Sequence, residues 1–306
     1  MIKLKIRNTI TFIILQTVIV LFVFEIGFRI AGFIKESAFK SEIKGKKDSF
    51  VVLCLGDSTT EGLGAPKGFS YPQQLQNLLN EGVGKDKLKV INVGAGGMNS
   101  SQVLNRLNKN IASYRPDLII LLIGINDSWN MNESNIWMFD ESDILNRIKL
   151  KIDLFLSKIK IYQFAKLLIL SRRSPELSEL NEERRLFAKS FERYQEKQKQ
   201  LYKLLSYNII KIINIAKQNK IIIFVLTYQK EGTGGPRRLI NQIYETVDIP
   251  IVDNQTILEA AAARGLKVIS EDNYHPNKLG YSLIAKNVYN TLIEQGIIKA
   301  ERLDLF

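Results

Sequence analysis

Four short stretches hold residue types whose joint chemistry would be acyl transfer. "GDST" at 56–59 places Asp57 and Ser58 at the end of an apolar run. "INVGAGGMNS" at 91–100 brings Asn92, Gly94 and Gly97, and "GIND" at 124–127 brings Asn126 and Asp127. "DNYHP" at 272–276 brings Asp272 and His275, the only histidine in the chain. A serine hydroxyl is a weak nucleophile until a base takes its proton. Neutral imidazole is suited to that task, and a carboxylate behind it fixes the tautomer and balances the imidazolium that forms. Backbone N–H groups at glycine turns and an asparagine amide suit the negative oxygen of a tetrahedral intermediate.

Each stretch also has a plainer reading. Asp and Ser both cap helices, so Gly-Asp-Ser can be a helix start. Gly-x-Asn-Asp can be a turn. The glycines at 94, 96 and 97 can serve a tight bend. Asp272 can cap the helix that follows it, with Pro276 in its first turn. What sets the four apart is where they fall relative to the elements around them.

Those elements are legible from the hydrophobic pattern. The runs at 50–56, 88–94, 117–124, 220–227 and 249–253 are continuously apolar, as strands covered on both faces are. Residues 71–82 and 99–114 have helical periodicity, and Arg115-Pro116 ends the second helix. The order βαβαβ predicts a parallel, three-layer α/β sheet, in which ligands gather beyond the carboxyl ends of the strands. All four stretches fall at that edge. The stretch 128–200 is long, charged and helical in period. It reads as an insertion whose last helix leads into the fourth strand, either as a solvated helix or as a cover over the site. "EGTGGPRR" at 231–238 reads as a loop, and its glycines do not follow a phosphate-loop spacing.

The four blocks, in this order, resemble the SGNH (GDSL) hydrolase family in its membrane-anchored bacterial form. "SYPQQL" at 70–75 and "RPDLIILLIGIND" at 115–127 resemble it too, and the likeness covers roughly residues 50 to 295. The resemblance implies a flavodoxin-like sheet of five parallel strands in the order 2-1-3-4-5. It implies Ser58 as nucleophile, His275 as base and Asp272 as its partner. It also implies an oxyanion hole of the Ser58 N–H, the Gly97 N–H and the Asn126 side chain. Asp57 and Asp127 stand beside these as supporting groups. No metal and no cofactor are implied. The first block departs from the family pattern in reading GDSTT rather than GDSL. The Gly-x-Ser-x-Gly elbow of α/β-hydrolases is absent.

The N-terminus is of another kind. Thr9 to Phe24 carries no charge, and apolar character continues to Ile34, interrupted only by Glu25 and Arg29. Spanning a bilayer takes about 20 such residues. Glu25 and Arg29, at i and i+4, can pair near the interface. No small-residue cleavage site follows, so residues 9–34 read as an uncleaved transmembrane anchor behind a cytoplasmic tail at 1–8. Lys3, Lys5 and Arg7 place the N-terminus inside and the catalytic domain outside the cytoplasm, while the lysines at 40–47 pull the other way. Residues 35–49 read as a basic tether, 50–296 as the hydrolase domain and 297–306 as a C-terminal tail.

The net charge of +12 fits a lysine-rich chain or a face toward anionic lipid. No zinc spacing, RNP motif or basic helix points to nucleic acid. One cysteine, Cys54, excludes an internal disulfide and reads as a small core residue. The expected function is a serine esterase acting on O-acyl groups, O-acetyl above all, of envelope carbohydrate or on lipid esters. Acyl transfer to a sugar hydroxyl would use the same residues. A catalytically silent, membrane-anchored binding module is the reading from another class, and the complete set of Ser58, Asn126, Asp272 and His275 argues against it. The oligomeric state is not legible.

Overall fold

The computed structural model describes residues 49–85, 87–139, 191–228 and 236–305, together with scattered positions between 12 and 30 and between 144 and 162. The chain divides into two compact units, one of residues 46–141 and 191–306, the other of 1–45 and 142–190. The first holds the sheet.

That unit runs β1 (Phe50–Gly56), α1 (Ser58–Glu61), α2 (Tyr71–Gly82), β2 (Leu88–Asn92), α3 (Ser100–Tyr114) and β3 (Leu118–Leu122). It continues as α4 (Phe191–Gln218), β4 (Ile222–Leu226), α5 (Pro236–Glu245), β5 (Ile251–Val252), α6 (Asn254–Ala263) and α7 (Lys278–Glu294). The five strands are parallel, in the order β2-β1-β3-β4-β5. The register sets Cys54 beside Asn92 on one side and Ile120 on the other. Helices α2 and α7 pack together on one face, and α3 and α4 on the other. The apolar runs read as strands because both faces are covered. Leu53, Cys54 and Leu118–Leu121 have no exposed surface. Burial pushes the Cys54 thiol up to about 12, so this cysteine is inert.

Except for β1, the strands are shorter than the apolar runs, for local reasons. β2 ends at Asn92 because the Asn92 side chain accepts from the Gly94 N–H at 2.9 Å and donates to the Thr60 carbonyl at 2.8 Å, which turns the chain. β5 keeps two residues of the run 249–253. Helix α3 starts in a capping box between Asn99 and Gln102 and ends at Arg115 with φ 45°, one residue before Pro116.

The stretch expected as an insertion at 128–200 is divided. Residues 128–141 and 191–200 fall with the sheet unit. The former are held there by Asn99, whose amide donates to the carbonyls of Asn130 and Asn132. The C-terminal tail is pinned to α7 by paired hydrogen bonds between Asn290 and Leu303.

In the smaller unit, positions 12, 16, 19–20, 22–27 and 30 are helical, as are 144, 148, 151–152, 155–156 and 161–162. The Ile161 N–H donates to Glu25 Oε2 at 3.1 Å. Arg29, the expected partner of Glu25, lies outside the described residues, as do the tail at 1–8, most of the expected anchor at 9–34, and 35–48. Among the described residues no helix is long and apolar enough to cross a membrane.

Candidate active site

Ser58 is the first residue of α1, directly beyond the carboxyl end of β1. Asp57 caps that helix, accepting from the Thr59 N–H at 2.9 Å. Asp57 has no exposed surface, and its other oxygen takes a hydrogen bond from the Tyr228 hydroxyl beyond β4. Burial pushes this carboxyl up, while the bonds from Tyr228 and Thr59 pull it back. The serine is thus fixed by its neighbour Asp57 and by Tyr228, 171 positions from that aspartate.

His275 arrives from the loop before α7. Its Nε2 lies 2.8 Å from Ser58 Oγ, and its Nδ1 lies 2.6 Å from Asp272 Oδ2. Asp272 does not cap α7; Asn277 does, accepting from the Gly280 N–H. Instead Asp272 Oδ1 accepts three bonds within its own loop, from Ser270 Oγ at 2.6 Å, the Tyr274 N–H at 2.8 Å and the His275 N–H at 2.9 Å. Burial raises this carboxyl, but the bonds from Ser270, His275 and Tyr274 outweigh it and hold Asp272 below the usual carboxylate range. An ionised Asp272 only accepts, so the imidazole proton belongs on Nδ1 and Nε2 is left to accept from the serine.

The loop after β2 is tied from several sides. The Ala95 N–H donates to the Gly56 carbonyl, and the Gly96 N–H to Glu61 Oε2 at 2.6 Å. Gly97 has φ 73°, and its carbonyl accepts from the Asn130 side chain at 2.6 Å. The positive φ favours glycine at 97, and a Cβ there would stand 3.2 Å from the Trp129 ring, a tight approach from which the ring would have to shift.

Asn126 follows β3, and its amide has a defined orientation. The Trp129 indole N–H donates to Asn126 Oδ1 at 3.0 Å, and Asn126 Nδ2 donates to the Met98 carbonyl at 3.0 Å. Because an indole can only donate, it selects the oxygen of the amide and sets the flip. One Nδ2 hydrogen goes to Met98; the other is not taken by it. Asp127, also buried, accepts from the Ser100 N–H at 2.8 Å and the Ser100 hydroxyl at 2.6 Å. Asn208 of α4 in turn donates to the hydroxyls of Ser100 and Ser101. Asp127 therefore ties the start of α3 to the end of β3. Burial pushes its carboxyl up to about 7, against the bonds from Ser100, with the Asp57 charge adding to the rise.

The structure brings Ser58, His275 and Asp272 into one line and sets Asn126 and Gly97 on loops joined through Met98, Asn130 and Trp129. Sequence reasoning missed Trp129, Asn130, Glu61, Tyr228, Asn208 and Ser270. Each acts by holding another residue, and its type carried no signal of its own. Among the described residues no group of three or more His, Cys, Asp or Glu is placed to hold a metal ion.

A five-stranded parallel sheet with serine, histidine and aspartate in register beyond its carboxyl edge defines a serine hydrolase. Residues 54–283 match the GDSL-like lipase/acylhydrolase family. The chain belongs to that family, the SGNH hydrolases, and is a carboxylic ester hydrolase. It is 25% identical over 262 residues to YpmR, an uncharacterised protein of Bacillus subtilis strain 168, covering 83% of this chain and 85% of that one. It is 32% identical over 89 residues to an acetylxylan esterase of Xylanibacter ruminicola, which covers 27% of this chain and 18% of that one. Its fold is similar to that of a two-domain esterase active on acetylated mannans, crystallised with mannopentaose. That match has a TM-score of 0.50 and 14% identity over 90% of this chain and 56% of the other.

Two outcomes are expected from the groups behind the site. In the unfolded chain Asp127 loses its proton near the ordinary value of 3.8, and in the folded chain near 7. Between those values the folded state holds more protons, so the stability this group contributes falls as pH rises from about 4 to about 7. The melting temperature of Asp127→Asn minus that of the wild type should therefore climb across this window in calorimetry. A constant difference would exclude the raised carboxyl. Trp129→Phe keeps the ring and loses the N–H. It should lower kcat about 10-fold, as loss of an orienting partner does, with KM unchanged. On an Asn126→Ala background the same change should cost nothing further. Equal losses on both backgrounds would mean that Trp129 does not act through Asn126.

Proposed function

We propose that Ser58 is the nucleophile of an O-acetyl esterase, with His275 as its base and Asp272 as the group that orients and balances the imidazole. The observation that carries this is the contact of Ser58 Oγ with His275 Nε2 at 2.8 Å, continued from Nδ1 to Asp272 at 2.6 Å. Ser58 Oγ attacks the ester carbonyl as its proton passes to Nε2. The tetrahedral oxyanion is met by the N–H groups of Ser58 and Gly97 and by the Nδ2 hydrogen of Asn126 that Met98 leaves over. His275 then gives its proton to the departing alcohol, and acyl-Ser58 remains. Water attacks that ester as its proton passes to His275, and His275 returns the proton to Ser58 Oγ as the C–Oγ bond breaks and the acid leaves.

A small acyl group on a carbohydrate is the substrate we favour over a lipid ester. Two supports stand behind it: the local match to an acetylxylan esterase, and Trp129 itself. That indole is 43% exposed and lies over Gly97, so an amphipathic ring face is offered to a sugar beside the oxyanion donors. We place the enzyme at a membrane, held by residues 9–34 with the N-terminus inside and the sheet unit outside the cytoplasm. The uncharged run from Thr9 to Phe24 and the three cations before it support that placement.

A serine-directed fluorophosphonate should label the wild-type chain and not Ser58→Ala, and acetate should be released from acetylated xylo-oligosaccharide faster than fatty acid from a long-chain glyceride. The reverse preference would assign the site to lipid, and equal labelling of the alanine variant would remove Ser58 from its role.

Asp272→Asn tests the relay itself. The three donors on Oδ1 require an oxygen there, so the asparagine must turn its NH2 toward His275 and force the proton onto Nε2. In serine proteases the corresponding exchange costs about 10⁴ in kcat, and a loss of about 10³–10⁴ is expected here with little change in melting temperature. Full activity in this variant would leave a Ser–His dyad.

Protease added to spheroplasts should digest the sheet unit. Protection until lysis would reverse the topology.

A further inference from the structure

The turn that carries the Gly97 N–H is loose by itself and is held from outside. Residues 95–98 form a β-turn closed by the Met98 N–H, which donates to the Ala95 carbonyl at 3.1 Å. Its two central residues are Gly96 and Gly97. With no Cβ at either, sterics leave the peptide between them many orientations, and that peptide holds the N–H assigned above to the oxyanion. Hydrogen bonds on its two sides must therefore fix it. On one side Asn130 Nδ2 donates to the Gly97 carbonyl at 2.6 Å. On the other the Gly96 N–H donates to Glu61 Oε2, also at 2.6 Å.

Glu61 ends α1, three residues after Ser58, so the two lie on one face of the same helical turn. The loop after β2 is laid along this segment. The Ala95 N–H reaches the Gly56 carbonyl at 3.2 Å, and Asn92 Nδ2 reaches the Thr60 carbonyl at 2.8 Å. A Cβ on Gly94 would stand 2.6 Å from the Glu61 backbone nitrogen, and one on Gly96 would stand 3.1 Å from Glu61 Oε2. Glu61 is itself anchored, its N–H donating to the Asp57 carbonyl at 2.9 Å. A glutamate on a free surface gains little from one contact, because ordering its long side chain offsets the bond. Here the backbone at both ends of the bond is already ordered, and the bond to a carboxylate is short and charge-assisted. It falls one residue from the Gly97 N–H, nearer than the ties of Ala95 and Asn92.

We propose that Glu61 is a positioning residue. Through Gly96 it fastens the Gly97 N–H to the helix that carries Ser58, so that oxyanion donor and nucleophile keep one geometry as the ester carbonyl becomes tetrahedral. The inference rests on the reading of the Gly97 N–H as an oxyanion donor. What the site needs from residue 61 is an acceptor oxygen at the right reach. Its negative charge gives no help, since a second anion nearby opposes the oxyanion. Reach and charge can be separated. Glu61→Gln keeps the reach without the charge, and Glu61→Asp keeps the charge one methylene short.

The full-length variants are compared on p-nitrophenyl acetate. Glu61→Ala and Glu61→Asp should lower kcat about 10-fold with KM unchanged, a smaller loss than the roughly 10²–10³ of removing a donor outright. Glu61→Gln should recover most of that loss. The bond itself is read without turnover, by NMR of protein labelled at its glycine nitrogens. The Gly96 amide proton should lie downfield in the wild type and in Glu61→Gln, and move upfield in Glu61→Ala and Glu61→Asp. Melting temperatures should agree across the set, because residue 61 is exposed. Activity kept in Glu61→Asp and lost in Glu61→Gln would assign the effect to charge and overturn the inference. Full kcat in Glu61→Ala, or a Gly96 signal that no variant moves, would overturn it too. Hydrolysis that survives Ser58→Ala would instead be a failure of the esterase reading. The Gly96 signal would then still decide the brace, an upfield move supporting it and an unmoved signal removing it.

Discussion

The site depends on the division of labour within one carboxylate. Asp272 gives one oxygen wholly to its own loop, to Ser270, Tyr274 and His275, and the other to the imidazole. The first set of bonds makes the second directional. A carboxylate free to rotate would hold the histidine ring only on average, whereas this one presents a fixed acceptor to Nδ1, and Nε2 can then face only one way. Ser58 must come to that nitrogen, and the rest of the fold serves to bring it. The ladder of β1 between β2 and β3 fixes the height of α1, and Asp57, clamped by Tyr228, fixes its rotation.

On the other side of the serine the same logic is applied with neutral groups. The loop after β2 and the turn after β3 each hold a proposed oxyanion donor, Gly97 and Asn126, and neither loop has regular structure to stiffen it. They stiffen each other. Asn126 reaches Met98, Asn130 reaches Gly97, and Asn99 reaches back to the carbonyls of Asn130 and Asn132. Below them the bond of Asp127 to Ser100 and of Asn208 to both serines closes the network in the core. Partly satisfied, such a network would be a liability in a buried place, and its value lies in being closed.

Much of the fold was legible in the sequence because parallel strands buried on both faces leave uninterrupted apolar runs, and five of them stand out here. Their ends were less so. Nothing in the run from Leu88 to Gly94 shows that the Asn92 side chain takes over the ladder at Gly94. Of the proposed site, Ser58, Gly97, Asn126, His275 and Asp272 were singled out because few residue types can do what would be asked at each place. The positioning groups could not. Tyr228 looks like any core tyrosine and Asn208 like an interruption in an apolar helix face, and their partners are 171 and 108 residues away. Trp129 had no motif around it, and only the distance to Asn126 gives it a meaning.

The way the chain leaves and re-enters the sheet unit has a consequence of its own. Between 141 and 191 the chain belongs to the other unit, and that excursion falls between β3 and β4. Ser58, Gly97 and Asn126 all precede it, and Asp272 and His275 follow it. Along the sequence, the excursion thus divides the site residues into two groups. Cut there, neither half would hold both Ser58 and His275. The halves would have to find each other through the β3–β4 ladder, Leu118 against Ile222 through Leu121 against Val225, and through the packing of α2 with α7 and of α3 with α4. Ester turnover would then report that assembly having closed, which makes this protein a natural candidate for a split reporter whose signal is chemistry rather than fluorescence.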